Sequence, residues 1–126
     1  MKIKETLYGG ELMSEEQLKE LSINYFDAFS NRDIARLSEM YHQDIHLVDW
    51  VVDVKGKGEV LHVNRNLFDL DFELELLEIE EVQNTNVLKT INRISIHIKA
   101  QPPLKVLDVI TFDEDGKITK IYAMKV

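Results

Sequence analysis

The chain of 126 residues has no cysteine, two prolines and five glycines. The absence of cysteine excludes disulfides, zinc–thiolate sites, iron–sulfur clusters and thiol catalysis. No apolar stretch approaches the ~20 residues that a membrane span needs. The polar residues 1–5 are not followed by the apolar run of a signal peptide. These absences predict a cytoplasmic protein without a membrane segment.

The charge balance is acidic, with 15 Lys and Arg against 23 Asp and Glu and a net charge of −8. This balance argues against nucleic acid and anionic membranes as partners, because phosphate binding needs clustered cations. Hydrophobic residues make up 44% and charged residues 30% of the chain, as in soluble folded domains. The length fits one domain whose core is large enough to enclose a cavity.

The first half of the chain predicts helices. Residues 1–13 contain two adjacent glycines and little periodicity, so we interpret them as an N-terminal arm before a domain at 14–126. Ser14 and Gln17 form a capping-box pattern, and apolar residues recur at helical spacing up to Phe29. Asp33 is placed to cap a second, short helix that buries Met40 and Tyr41. A third helix is predicted after a turn around 55–58, with Val60, Leu61, Asn64, Leu67 and Phe68 on one side.

The second half of the chain predicts strands. A short strand at 45–50 precedes the third helix, and the apolar period changes to two at Phe72. Four further strands are expected at 72–82, 87–100, 104–112 and 117–125. The alternation changes phase at Leu76 and Leu77, which indicates a β-bulge. Helices separated from a run of antiparallel strands predict an α+β fold, with the sheet curved around helix 14–30 over an internal pocket.

Three polar residues fall on faces that are otherwise apolar. Tyr25 lies on the buried stripe of the first helix, where it is either a core tyrosine or part of a pocket. Asp49 and Asp108 share strand parity with apolar residues, and an aspartate facing an apolar layer needs pairing, hydrogen bonds or a proton. Two such positions suggest a pocket, unless the strands twist and turn both carboxylates to solvent.

The remaining motifs give little support for metal or cofactor chemistry. The four histidines lack the spacing of a metal site, and His42 is assigned to a helix end. His46 and His97 lie on strand faces opposite their apolar neighbours, which favours positions on the surface or in a dimer interface. No GxSxG, P-loop or GxGxxG motif is present, so no cofactor is expected. Trp50 beside Asp49 either lines a pocket or simply packs.

The order of several motifs resembles the NTF2-like superfamily, in particular its SnoaL-like and ketosteroid isomerase branch. The resemblance spans residues 14–122 and rests on the motifs Asn-Arg-Asp at 31–33, Met-Tyr-x-x-Asp at 40–44 and Phe-Asp-x-x-Gly-Lys-Ile at 112–118. It implies a cystatin-like roll in which a curved sheet wraps three helices. It also implies a homodimer formed through the sheet and a deep pocket between the sheet and the first helix.

The resemblance to ketosteroid isomerase also implies roles for individual residues. Asp49 matches the general base, while Tyr25 and Asp108 match the tyrosine and the protonated acid of the oxyanion hole. The expected substrate-binding residues are Tyr41, which supports the network, together with Trp50, Phe29, Phe68 and Tyr122. The chain departs from the family pattern at Trp50, where proline is usual, near Asn66, where a network tyrosine is usual, and at Met124 and Lys125, near an expected tryptophan.

These observations leave three functions open. The chain resembles an isomerase that moves a proton next to a ketone without a cofactor. A related cyclase acting on a ketone or polyketide is the second interpretation. The third is a non-catalytic module that binds a small ligand or dimerises. All three imply a hydrophobic small-molecule pocket or a sheet interface, with no metal.

Overall fold

The computed structural model describes residues 13–84 and 87–126, so of the predicted arm only Met13 lies among the described residues. The described residues form three helices and six strands. They are α1 (Glu15–Ser30), α2 (Ile34–Met40), β1 (Tyr41–Val48), β2 (Asp53–Lys55), α3 (Lys57–Phe68), β3 (Phe72–Gln83), β4 (Leu88–Ile98), β5 (Leu104–Phe112) and β6 (Ile118–Lys125).

Local side-chain bonds set the helix starts where the sequence predicts them. The Ser14 amide donates to Gln17 Oε1 at 2.8 Å, and the Gln17 amide donates to Ser14 Oγ at 3.1 Å, which completes the capping box. Asp33 Oδ1 accepts from the Arg36 amide at 3.1 Å and begins α2. α2 ends at Met40, so the prediction that Tyr41 belongs to this helix is wrong; Tyr41 is the first residue of β1.

The six strands form one sheet in the order β2-β1-β6-β5-β4-β3. β3 to β6 pair antiparallel along the chain, as predicted. β1 adds to β6 in parallel and begins four residues earlier than the predicted start at Ile45. β2 was not predicted: it lies where the expected turn begins and pairs with the free edge of β1. The turn between β2 and α3 is the single residue Gly56, whose positive φ of 94° suits glycine.

A bulge curves the sheet where the sequence changes phase. The pairing of β3 with β4 shifts register between Leu76 and Glu78, which confirms the predicted bulge. A bulge bends its strand and increases the local twist. The long outer strands thereby curl over the helices.

The polar surface is divided between the outer sheet face and the strand edges. Most of the glutamates of β3 are exposed. His42 was assigned to a helix end, but it lies in β1, and its Nδ1 accepts from the Asp44 amide at 2.9 Å. His46 Nε2 meets Asp53 Oδ1 of β2 at 2.5 Å.

The core lies between the helices and the concave sheet face. Its largest fully buried side chains include Tyr41, Leu18, Leu37, Ile45 and Ile110. No described helix is long and apolar enough to cross a membrane. Among residues 13–84 and 87–126, no three His, Asp or Glu side chains are grouped as a metal site would require.

Candidate functional site

A cavity of about 480 Å³ remains between α1, α3 and the concave face of the sheet. Its wall is mainly apolar and includes Ile94, Ile96, Val106 and Ile121 from three neighbouring strands. Small-molecule sites typically have this size and combine an apolar wall with a few polar groups. Here Tyr25, Asp49, Asp108 and the amides Asn64 and Asn66 provide the polar groups.

Tyr25 reaches the cavity from α1, on the same helical stripe as Leu18 and Phe29. Only 4% of its surface is exposed, and its ring packs edge-on against Phe26 at 5.0 Å. Burial raises the pKa of Tyr25 well above its usual value, and the neighbouring Tyr41 and Asp108 add to this effect. The phenol therefore stays protonated and can act as a hydrogen-bond donor.

Asp108 occupies the centre of the inner face of β5. It is 7% exposed, so the alternative in which a strand twist turns this carboxylate to solvent does not hold. The pKa of Asp108 is raised from 3.8 to about 7, mainly by burial and in addition by the negative charge of Asp49. Around neutral pH a substantial fraction of Asp108 is a neutral acid, which can donate a hydrogen bond or a proton.

Asp49 lies just after β1 and closes a short loop with its own side chain. Its Oδ1 accepts from the Val51 amide at 2.7 Å and from the Val52 amide at 2.8 Å. Within the described residues, its Oδ2 accepts no hydrogen bond. One oxygen thus fixes the carboxylate, and the other is left for a ligand in the cavity, where an ionised carboxylate can act as a base.

Tyr41 lies behind Tyr25 and links it to α3. Its hydroxyl donates to Asn64 Oδ1 at 2.7 Å, and both side chains are buried. The rings of Tyr25 and Tyr41 are 6.4 Å apart. Asn64, the hydrogen-bond partner of Tyr41, also lines the cavity. Asn66, which lies near the position of the family's network tyrosine, is exposed. Tyr41 therefore supports the site from behind and is not among the residues lining the cavity.

A buried polar chain lies next to Asp108 and was not predicted. Ser22 Oγ and Thr90 Oγ1 are 2.6 Å apart, and Asn92 Nδ2 donates to Thr90 Oγ1 at 2.9 Å and to the Asp108 carbonyl at 3.0 Å. Asn92 pairs directly with Asp108 across the two strands. Thr90 and Asn92 share the strand parity of Ile94, so the parity argument that identified Asp108 would also have identified them.

The predicted site residues divide into those that line the cavity and those that do not. The lining residues are Tyr25, Phe29, Asp49, Trp50 and Asp108. Of these, Trp50 is 44% exposed and forms part of an apolar mouth, which we define as Trp50, Val51 and Leu70.

Phe68 and Tyr122 lie away from the cavity wall. Phe68 packs edge-on against Phe29 at 5.0 Å and stacks on Phe72, so it supports the wall from behind. Tyr122 lies between Ile121 and Ala123, which both line the cavity, and successive strand residues point to opposite faces. Its ring is therefore on the outer sheet face, next to Lys120.

Comparison with solved structures identifies the fold. A proposed polyketide cyclase from Sinorhizobium meliloti superposes with a TM-score of 0.73 at 22% identity, covering 82% of this chain and 93% of the other. A proposed ketosteroid isomerase from Kribbella flavida gives 0.71 at 14% identity, covering 88% and 78%. SalBIII, an epoxide hydrolase/cyclase-like enzyme of pyran ring formation in polyether salinomycin, gives 0.75 at 16% identity, covering 91% and 95%.

These similarities show the NTF2-like, cystatin-like fold that the sequence motifs predict. Comparison with curated proteins gives no match. The family model of the SnoaL-like domain matches residues 23–121, which include Tyr25, Asp49 and Asp108. The chain belongs to the SnoaL-like domain family.

Proposed function

We propose that the protein binds an apolar small molecule with a carbonyl group and moves a proton on the carbon next to it. The observation that carries this proposal is the convergence of two carboxyls and a phenol on one apolar cavity. Asp108 has a raised pKa there, while Asp49 is held by two backbone amides. Two carboxyls in such different surroundings suit opposite roles in acid–base chemistry.

The proposed reaction conserves all atoms and needs no electron carrier. The Asp49 carboxylate takes the proton from the carbon beside the carbonyl, and the carbonyl becomes an enolate. Tyr25 and neutral Asp108 donate hydrogen bonds to the enolate oxygen, where the negative charge develops. Asp49 then returns the proton to a more distant carbon, so that a double bond moves into conjugation with the carbonyl.

The apolar wall supports this assignment because it strengthens the interactions on which the reaction depends. Hydrogen bonds to a developing charge are stronger where water is excluded. The wall also selects a hydrophobic ligand, since a small apolar ligand buries its surface there without losing hydrogen bonds to water.

A β,γ-unsaturated ketone such as cyclohex-3-enone tests the proposal, because its conjugated product absorbs in the ultraviolet. Asp49→Asn should abolish turnover, since the amide cannot accept the proton, while the near-identical shape preserves the fold. Asp108→Asn should reduce turnover by a smaller factor, because an amide still donates a hydrogen bond. Equal rates for wild type and Asp49→Asn would refute the role of the base.

A second candidate is acid–base opening of a strained ether ring, as in a cyclase. The interaction between Asp49 and Asp108 favours it, because one carboxyl can protonate the leaving oxygen while the other deprotonates an attacking hydroxyl. A hydroxy-epoxide substrate analysed by mass spectrometry and NMR distinguishes ring closure from isomerisation. Binding of ligands without turnover of either substrate class would favour the non-catalytic binding module.

The homodimer also remains a proposal, supported by the outer sheet face. Leu107 and Val109 lie half-buried on this face in the single chain, and Tyr122 is 44% exposed there. An interface would bury these side chains. The cytoplasmic location stays a prediction, which cell fractionation would test.

A further inference from the structure

Lys125 shares the strand face that lines the cavity and lies beside the cavity mouth; it is exposed and is not itself one of the lining residues. It follows Ile121 and Ala123 on alternate positions of β6, and both of those residues line the cavity. Its register partner on β5 is Val106, which also lines the cavity. Its Nζ lies 5.2 Å from the centre of the Trp50 ring.

The charge of Lys125 has no ionic partner in the part of the chain that the structure describes. In residues 13–84 and 87–126, no carboxylate lies within ion-pair distance of it. Lys99 at the end of β4 differs, because its Nζ lies 4.0 Å from Asp71 Oδ2. The Trp50 ring stabilises an ammonium by a cation–π contact without neutralising it. An anion at the mouth would therefore meet an oriented and uncompensated positive charge.

The interior of the cavity disfavours an anion. Asp49 and Asp108 both line it, and the apolar wall makes an unpaired charge costly. Along β5 and β6, Asp108 pairs with Ala123 and Val106 pairs with Lys125, so the acid and the cation are two residues apart. Two residues along a strand span about 7 Å and the neighbouring strand lies about 5 Å away, so the Cα atoms of Asp108 and Lys125 are roughly 8 Å apart.

We propose that the cavity takes an amphipathic anion, whose charged group, such as a carboxylate, binds Lys125 at the mouth while its neutral end lies at Tyr25 and Asp108. This inference rests on the proposed function in so far as the cavity takes an apolar ligand. It adds the ligand's charge and orientation, and it makes Lys125 a specificity-determining residue.

Two fluorescent probes that share one skeleton test the inference. 1-Anilinonaphthalene-8-sulfonate carries an anionic group, and N-phenyl-1-naphthylamine lacks it. Lys125→Gln should weaken binding of the anionic probe about two- to fivefold, which is the upper part of the range of an exposed ion pair. It should leave the affinity for the neutral probe unchanged. Raising the salt concentration should weaken only the anionic probe on the wild-type protein.

Lys120→Gln is the matched control. Lys120 lies on the same strand and also faces an aromatic ring, with Nζ 5.9 Å from the centre of Tyr122, but on the outer sheet face. Its loss should change neither affinity. Ala123→Phe should weaken both probes, because the larger side chain fills part of the cavity.

The outcomes separate the two proposals. If the wild-type protein binds neither probe, or Ala123→Phe leaves both affinities unchanged, the cavity does not take an apolar ligand and both proposals fail. If both probes bind in the cavity and Lys125→Gln changes neither affinity, or changes both affinities equally, Lys125 does not bind the charged group of the ligand. In that case this inference is wrong and the proposed function still stands.

Discussion

The buried carboxyl of Asp108 makes the stability of the fold depend on pH. Its pKa rises from 3.8 to about 7 on folding, mainly because of burial. Between these values the folded protein holds a proton that the unfolded chain releases, so stability falls as the pH rises through this window. About three pH units at roughly 1.4 kcal/mol each correspond to a loss of about 4 kcal/mol. The loss is negligible well below the unfolded pKa of 3.8 and is complete well above the folded pKa of about 7.

Urea unfolding from pH 4.5 to 8.5, for the wild type and Asp108→Asn, measures this loss. Subtracting the free energies of unfolding of the two proteins cancels the titration of every other carboxyl they share. The wild type should lose up to about 4 kcal/mol relative to the variant as the pH rises, and the loss should accumulate between the two pKa values of Asp108 and level off above neutrality. Asp69→Asn, at an exposed position after α3, is the control and should run parallel to the wild type.

A difference between wild type and Asp108→Asn that stays constant over this range would refute the reasoning. It would mean that the carboxyl ionises as readily in the folded protein as in the unfolded chain. Neutral Asp108 would then be absent at pH 7, and its role as a hydrogen-bond donor in the proposed reaction would be lost as well.

Three further perturbations test the surroundings of the site. Asp49→Asn removes the nearby charge that raises the pKa of Asp108, so its carboxyl resonance in ¹³C NMR should titrate at lower pH; an unchanged midpoint would contradict this coupling. Tyr41→Phe leaves Asn64 Oδ1 without its donor and should cost about 1–3 kcal/mol in urea unfolding. Leu107→Glu on the outer sheet face should halve the mass seen by light scattering at micromolar concentration; an unchanged mass would argue against an interface there.

Local chemistry explains why most of the fold was predictable. The capping box at Ser14, the Asp33 cap and the bulge after Leu76 depend on residues close in sequence. The strand β2 and the parallel pairing of β1 with β6 depend on the free edges that the finished sheet presents. A three-residue strand such as Asp53–Lys55 carries too few side chains for a periodic signal, so only tertiary pairing reveals it.

The site also combines features that depend on residues close in sequence with features that depend on tertiary contacts. Strand parity was enough to place Asp108 among buried residues, since its neighbours in β5 alternate cleanly. Parity alone would have placed Tyr122 on the outer face, and it was assigned to the pocket only through the resemblance to a family with an aromatic wall there. Asn64 has no such strand signal, because its role depends on the tyrosine of another element that meets it.

The register of β4 against β5 bears directly on the protonation of Asp108. Asn92 lies opposite Asp108, but its side-chain amide donates to Thr90 Oγ1 and to the Asp108 backbone carbonyl. Its Oδ1 is buried without a partner. Among the described residues, no donor lies within hydrogen-bond distance of the Asp108 carboxylate. A carboxylate that accepts several N–H bonds would have a lowered pKa. Because the Asn92 amide donates elsewhere, it does not oppose the burial and the Asp49 charge that raise the pKa of Asp108.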